Sequence, residues 1–119
     1  MSGPYLETDL SEEASNVHRA LASLQEELEA VDYYNQRADR TADADLKEVL
    51  LHNRNEEIEH ASMLLEWLRR KVPEFDDELG TYLFQNVPIT KVEEAAQAGE
   101  GSPSGPRVTG SLGIGSLKQ

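Results

Sequence analysis

Two long stretches of the chain repeat apolar residues at helical spacing. Between Ser11 and about Ala38, Val17, Leu21, Leu24, Leu28 and Val31 recur at alternating steps of four and three, which sets them on one stripe of a bundle-forming helix. No Pro or Gly interrupts the stretch, and Ser11 followed by Glu12 and Glu13 supplies a hydroxyl cap with acids in the first turn. From about Ala44 to Lys71, Leu46, Val49, Leu50, Ala61, Leu64, Trp67 and Leu68 make a second stripe, closed by Arg69-Arg70-Lys71 and stopped by Pro73. The link between them is short and polar, with Thr41 or Asp43 as the cap of the second helix, and a link of that length predicts antiparallel neighbours. Residues Glu74 to Phe84, with Phe75, Leu79, Tyr82, Leu83 and Phe84, predict a shorter third helix weakened by Gly80, its apolar residues covering an end of the hairpin or a subunit contact. After Pro88, Val92, Ala95 and Ala96 offer only a weak further turn or two between Ile89 and Ala98. The expected fold class is all-α: an antiparallel two-helix hairpin over residues 11–98 with a short C-terminal helix, after a loose lead-in over residues 1–10.

The second stripe is not wholly apolar. Asn53, Glu57 and His60 fall in its middle, and residues three apart share a helix face, so Glu57 and His60 can offer a carboxylate oxygen and an imidazole nitrogen to one point. A carboxylate in an apolar seam is costly unless a cation or a strong hydrogen-bond partner compensates it. A bound metal is the leading explanation, and a Glu paired with a protonated His or with an Arg is the other. On the first helix, Glu27 lies about 70° from the centre of its stripe by the 100° helical step, on the edge that carries Ala20, Tyr34 and Ala38. A lone Glu at a helix edge is ordinarily a surface residue; the need for a third ligand near Glu57 and His60 singles this one out. Glu26, Glu29 and Tyr33 point the other way, towards solvent or another subunit. His18 reads as an edge contact, His52 as a solvent-exposed residue, and Met63 and Trp67 as packing residues. Tyr34 can hydrogen-bond a ligand or pack against a partner.

Composition sharpens this picture. With 119 residues, 38% of them hydrophobic and 6% aromatic, the chain can bury little core of its own, so association is expected. More than half of residues 99–119 are Gly, Ser or Pro, which reads as a flexible tail. The formal charge is −12, and the tail carries Arg107 and Lys118 against Glu100, so the acidic excess sits on the helical part. Such a surface repels nucleic acid and anionic lipid and attracts cations. The absence of cysteine excludes disulfides and thiolate sites, leaving N and O ligands for any metal. The first ten residues lack a basic region and apolar run, and no apolar stretch approaches membrane-spanning length, which gives a cytoplasmic expectation.

Two-metal carboxylate sites in four-helix bundles take a Glu from each of two helices and a Glu-x-x-His from each of the other two. One long helix with Glu27 and one with Glu57-x-x-His60 make half of that set. A symmetric dimer of hairpins supplies four helices and both ligand sets, and buries the apolar faces a lone hairpin exposes. Two Glu27, two Glu57 and two His60 suit iron, manganese or zinc. With iron, such a site implies ferroxidase chemistry; the alternatives are a divalent-metal-stabilised, non-catalytic helical adaptor and a manganese-dependent peroxide-handling bundle. No Ser/His/Asp arrangement, phosphate-cradling glycine loop or basic patch proposes another reaction.

The runs Glu26-Glu27-Leu28-Glu29-Ala30-Val31-Asp32-Tyr33-Tyr34 and His52-Asn53-Arg54-Asn55-Glu56-Glu57-Ile58-Glu59-His60-Ala61, with Leu65-Glu66-Trp67-Leu68-Arg69-Arg70 and Thr81-Tyr82-Leu83-Phe84, closely resemble the encapsulated ferritins over roughly residues 12–95. The resemblance implies hairpins that dimerise into a ferritin-like four-helix bundle and assemble into a ring-shaped homodecamer. It implies ligation of a di-iron centre by Glu27, Glu57 and His60 of both subunits, an outer metal-entrance site at Glu26 and Glu29, and support of the centre by Tyr34. Where the family often has Trp, this chain has Tyr33. The tail segment Gly110-Ser111-Leu112-Gly113-Ile114-Gly115-Ser116-Leu117-Lys118 is similar to the peptide by which cargo docks inside encapsulin shells. There Leu112, Ile114 and Leu117 are groove anchors, and Gly113 and Gly115 let the backbone lie close. The implied division of labour is oxidation of Fe(II) by this protein and storage of mineral by the shell.

Overall fold

The computed structural model describes residues 6–98. The lead-in before residue 6 and the tail, with Leu112, Ile114 and Leu117, lie outside the described residues. All regular structure among the described residues is helical: α1, Glu12–Arg40; α2, Ala44–Lys71; α3, Pro73–Tyr82; and α4, Ile89–Ala98. None of these helices is long and apolar enough to cross a membrane.

The ends of the long helices are set by local chemistry. Ser11 Oγ accepts from the Ala14 amide at 3.0 Å, and Glu12 and Glu13 sit in the positive first turn of α1. Of the two caps considered for α2, Asp43 takes the role, its Oδ1 accepting from the Leu46 amide at 2.8 Å, while Thr41 Oγ1 accepts from the Asp43 amide at 3.2 Å. α1 runs two residues past Ala38. Pro73 does more than end α2, because it also opens α3, where its missing amide hydrogen costs no bond.

The chain clusters into two compact units, one through Lys71 and one from Val72. In the first, α1 packs along α2 as the expected hairpin. The packing line differs from the centre of the apolar stripe. Ala20 and Ala38 on α1, with Ala61 and Leu68 on α2, are the buried residues, whereas Leu28 in mid-stripe is 53% exposed and Leu46 and Val49 are also exposed. The cause is side-chain size: alanines let two helix backbones approach closely, and the edge that bears them outcompetes the bulkier stripe. Arg54 Nη1 adds a cross-helix bond to Asn35 Oδ1 at 2.9 Å.

In the second unit α3 packs with α4. The third helix ends at Tyr82, leaving Leu83 and Phe84 beyond it. Phe84 has a φ of 63° and is 97% exposed, so it is not part of a helical apolar face. Gly80 is accommodated inside α3, and α4 is a full ten-residue helix with Val92 buried, longer than the turn or two its composition predicts.

Candidate metal centre

The close approach of α1 and α2 along their alanines brings Glu27 opposite Glu57 and His60. Their ligand atoms lie within 4.8 Å of one another, and this is the one such group of three found among the described residues. His60 Nδ1 stands 3.3 Å from Glu57 Oε1 and 3.4 Å from Glu27 Oε1. The two carboxylate side chains are largely covered, and the imidazole is 43% exposed, so the cluster is open on the His60 side.

These separations are informative. Both are long for a hydrogen bond, whose N···O mode is about 2.9–3.0 Å. They match the roughly 3.0–3.4 Å between adjacent donors that each hold one ion at about 2.1 Å in tetrahedral or octahedral geometry. Glu27 Oε1 is itself buried and has no hydrogen-bond partner; its contact with His60 is short enough for an ion pair but lacks hydrogen-bond alignment. A buried carboxylate oxygen without a partner is expensive, and a cation of the N/O-binding class would satisfy it. The residues present therefore fit a divalent metal.

Protonation reflects the same crowding. The Glu27 pKa is raised, first because Glu57 holds a shared proton against it, then by burial and by the Glu57 charge, with His60 opposing. At His60 burial disfavours the imidazolium, but the bond to Glu57 and the charges of Glu27 and Glu57 outweigh it and raise the pKa. The metal-free cluster thus holds onto protons that a cation would displace.

The other residues singled out in the sequence lie outside the cluster. Glu26 and Glu29 are exposed on α1, and Glu29 Oε2 accepts from the Tyr33 hydroxyl at 2.8 Å. Tyr34 is half-buried on the Glu27 edge, and the Arg37 guanidinium sits 5.8 Å from its ring and 5.6 Å from that of Tyr33. His52 is exposed and 3.9 Å from Glu56, and His18 is half-buried on α1. Met63, read as packing, is 58% exposed, because the line of contact with α1 passes along Ala61 and Leu68 instead. Sequence reasoning missed the Arg54–Asn35 tie and the Arg37 stacking. Arg37 carried a signal, since it follows Tyr33 and Tyr34 by one turn; the Asn35 partner of Arg54 carried none.

The sequence pattern of the EncFtn-like family matches residues 5–86. The chain is 53% identical over 115 residues to an encapsulated ferritin-like protein of Rhodospirillum rubrum, covering 92% of this chain and 82% of that protein. It is 53% identical over 87 residues to a ferritin-like protein of Thermotoga maritima, covering 73% and 76% of the two chains. A crystallised protein of Nitrosomonas europaea superposes with a TM-score of 0.70 at 57% identity, over 74% of this chain and 98% of the other.

Proposed function

The chain belongs to the EncFtn-like family, and from that membership and the geometry of its three ligand side chains we propose that it is a ferroxidase whose di-iron site is completed by a second copy of itself. The observation that carries this reading is the pair of separations from His60 Nδ1, 3.3 Å to Glu57 Oε1 and 3.4 Å to Glu27 Oε1, which suit donors to one ion, with Glu27 Oε1 buried and unpartnered. One hairpin supplies three ligands and leaves one side open. Two hairpins related by a twofold axis supply six, four of them carboxylates whose charge two divalent ions neutralise. Hard carboxylate oxygens with one imidazole suit iron, and the acidic surface concentrates cations around the site.

Iron is the substrate. Two Fe(II) held side by side give up one electron each, and O2 takes the pair with two protons to form H2O2. Fe(III) then leaves the carboxylates and hydrolyses to mineral. The chain contributes the fixed spacing of the ligands, whose protons Fe(II) displaces on entering. Glu26 and Glu29 serve as the outer entrance for the cation, and Tyr34 supports the centre from the Glu27 edge.

The R. rubrum relative is described as encapsulated. By analogy, the tail of this chain carries Leu112, Ile114 and Leu117 as anchors for an encapsulin shell in the cytoplasm, which stores the mineral that an open decameric ring has no cavity to hold. The test is O2 consumption on anaerobic mixing of the full-length chain with Fe(II) followed by air. Wild type should oxidise Fe(II) well above the spontaneous rate, while Glu27→Ala and His60→Ala each lose more than about 100-fold, since even an outer residue of a metal site costs about 10–100-fold. Oxidation that survives both substitutions would overturn the assignment.

A further inference from the structure

The alanines of the hairpin let α1 and α2 approach closely, but they do little to fix how far one helix slides along the other, because small side chains make shallow ridges. The ligand cluster is sensitive to that slide. Glu27 stands on one helix and Glu57 and His60 on the other, and a misplacement of about 1 Å at a reacting centre costs on the order of 100-fold. A directional bond between the helices, close to the cluster, supplies what the alanines lack, and Arg54 makes one. Its Nη1 donates across the hairpin to Asn35 Oδ1 at 2.9 Å, while Nη2 and Nε donate to Asn55 Oδ1 at 2.9 and 3.2 Å. The Tyr33–Glu29 and Gln36–Asp32 bonds, by contrast, stay within α1. Arg54 is half-buried and stands three residues before Glu57, about 4.5 Å away along the axis of α2. The planar fork of a guanidinium fixes direction as well as distance, which an ammonium does not. Both acceptors are neutral amides, so the tie brings no further carboxylate beside Glu27 and Glu57. The guanidinium is turned to Asn35 and Asn55 rather than to Glu57, the ion-pair partner that the three-residue spacing offers.

We infer that Arg54 is a positioning residue for the metal centre: clamped to Asn35, it fixes the register of α1 on α2 at which Glu27 meets Glu57 and His60. This rests on the reading of those three side chains as metal ligands. The tie lies wholly within one chain, so it orders each half of the proposed two-copy centre without help from the other half. Alanine contact sets the separation of the helices, and the Arg54–Asn35 bond sets their axial alignment. Arg54 touches no ligand atom; it acts through the helix that carries two of them. Removing either end of the bond leaves all three ligands in the chain and loosens only their alignment.

The experiment is titration of the full-length protein with Co(II), which stands in for Fe(II) and whose visible absorption reports the ligands around it, with thermal melting of each variant alongside. Arg54→Lys keeps the charge without the fork, Asn35→Ala removes the acceptor, and Asn35→Asp keeps one. Ser11→Ala removes the cap of α1, far along the helix from the cluster, and serves as the stability control. Arg54→Lys and Asn35→Ala should each weaken Co(II) binding by about 10-fold or more, the range for outer residues of metal sites, and alter its spectrum. Combining them should weaken binding no further than either alone, since both break one bond. Asn35→Asp should bind as wild type does, and Ser11→Ala should melt lower yet keep wild-type affinity. Wild-type Co(II) affinity in both Arg54→Lys and Asn35→Ala, or a loss no greater than that in Ser11→Ala, would overturn the proposal while Glu27→Ala and His60→Ala still abolish binding. A wild type that binds Co(II) no better than Glu27→Ala and His60→Ala would overturn the metal reading itself, and the positioning role with it.

Discussion

Glu27 bears an electrostatic cost, since its buried Oε1 lacks a hydrogen bond and a second carboxylate, Glu57, stands against it. A cost of that kind persists where a ligand removes it. Replacing the charge with an isosteric amide separates the two roles. Glu27→Gln should raise the melting temperature of the metal-free protein by a few degrees and abolish the further rise that divalent metal gives wild type, both read by calorimetry. The sign of the pH dependence follows from the same groups. Both Glu27 and His60 have folded-state pKa values raised above 4.5 and 6.5, so protonation favours folding. That contribution is present below those ordinary values and is lost as pH rises through the raised ones. Metal runs the opposite way, because it needs both groups deprotonated. Its binding should release protons, and affinity should weaken as pH falls through the raised His60 value. Titration calorimetry in two buffers of unlike ionisation enthalpy measures that release, and identical heats in both would contradict it.

At the scale of helices, the site depends on how closely α1 and α2 approach. Ala38 is 1% exposed, and the small residues along its edge set the distance at which Glu27 meets Glu57 and His60. Ala38→Leu forces extra volume into that contact, at a cost of about 1–3 kcal/mol, and should part the ligands. Denaturant unfolding should show the loss in stability. Metal affinity should fall in the same variant even though no ligand has changed; an unchanged affinity would mean the alanine edge does not set the site. Much of this was legible in the chain. The four-and-three repeat, the Ser11 cap, the polar link and Pro73 locate both long helices within a residue or two, because these signals are local. The Glu57–His60 pair was readable from its spacing on one helix, and Glu27 from the need for a third ligand beside that pair. What escaped were features set by competition between faces. Periodicity marks Leu28, Val49 and Met63 as apolar positions, but it does not say that a neighbouring edge of small residues will take the contact and leave them exposed. Phe84, with its positive φ, and the full length of α4 depend on tertiary context that no local propensity encodes.

As a whole molecule the chain shows two deficits, and the proposed second copy would correct both. The hairpin presents three ligands on a cluster open at His60, and it leaves Leu28, Leu46, Val49, Ile58 and Met63 uncovered. Apolar burial favours association at roughly 25 cal/mol per Å² of surface removed from water. A chain of charge −12 resists meeting its own copy, most strongly where Glu27 and Glu57 of two subunits would converge in the proposed dimer. Divalent cations placed between those carboxylates reverse the local repulsion, so assembly should be linked to metal binding. Sedimentation of the full-length protein should show a higher mean mass with Fe(II) under anaerobic conditions than with chelator. The difference should grow at low ionic strength, where unscreened carboxylates repel over a longer range. His60→Ala should keep whatever association the apolar faces drive alone and lose the metal-dependent increment. If wild type sediments identically with metal and with chelator over a wide range of protein concentration, the ligands of two copies do not meet, and the three side chains of one hairpin must hold their ion unaided.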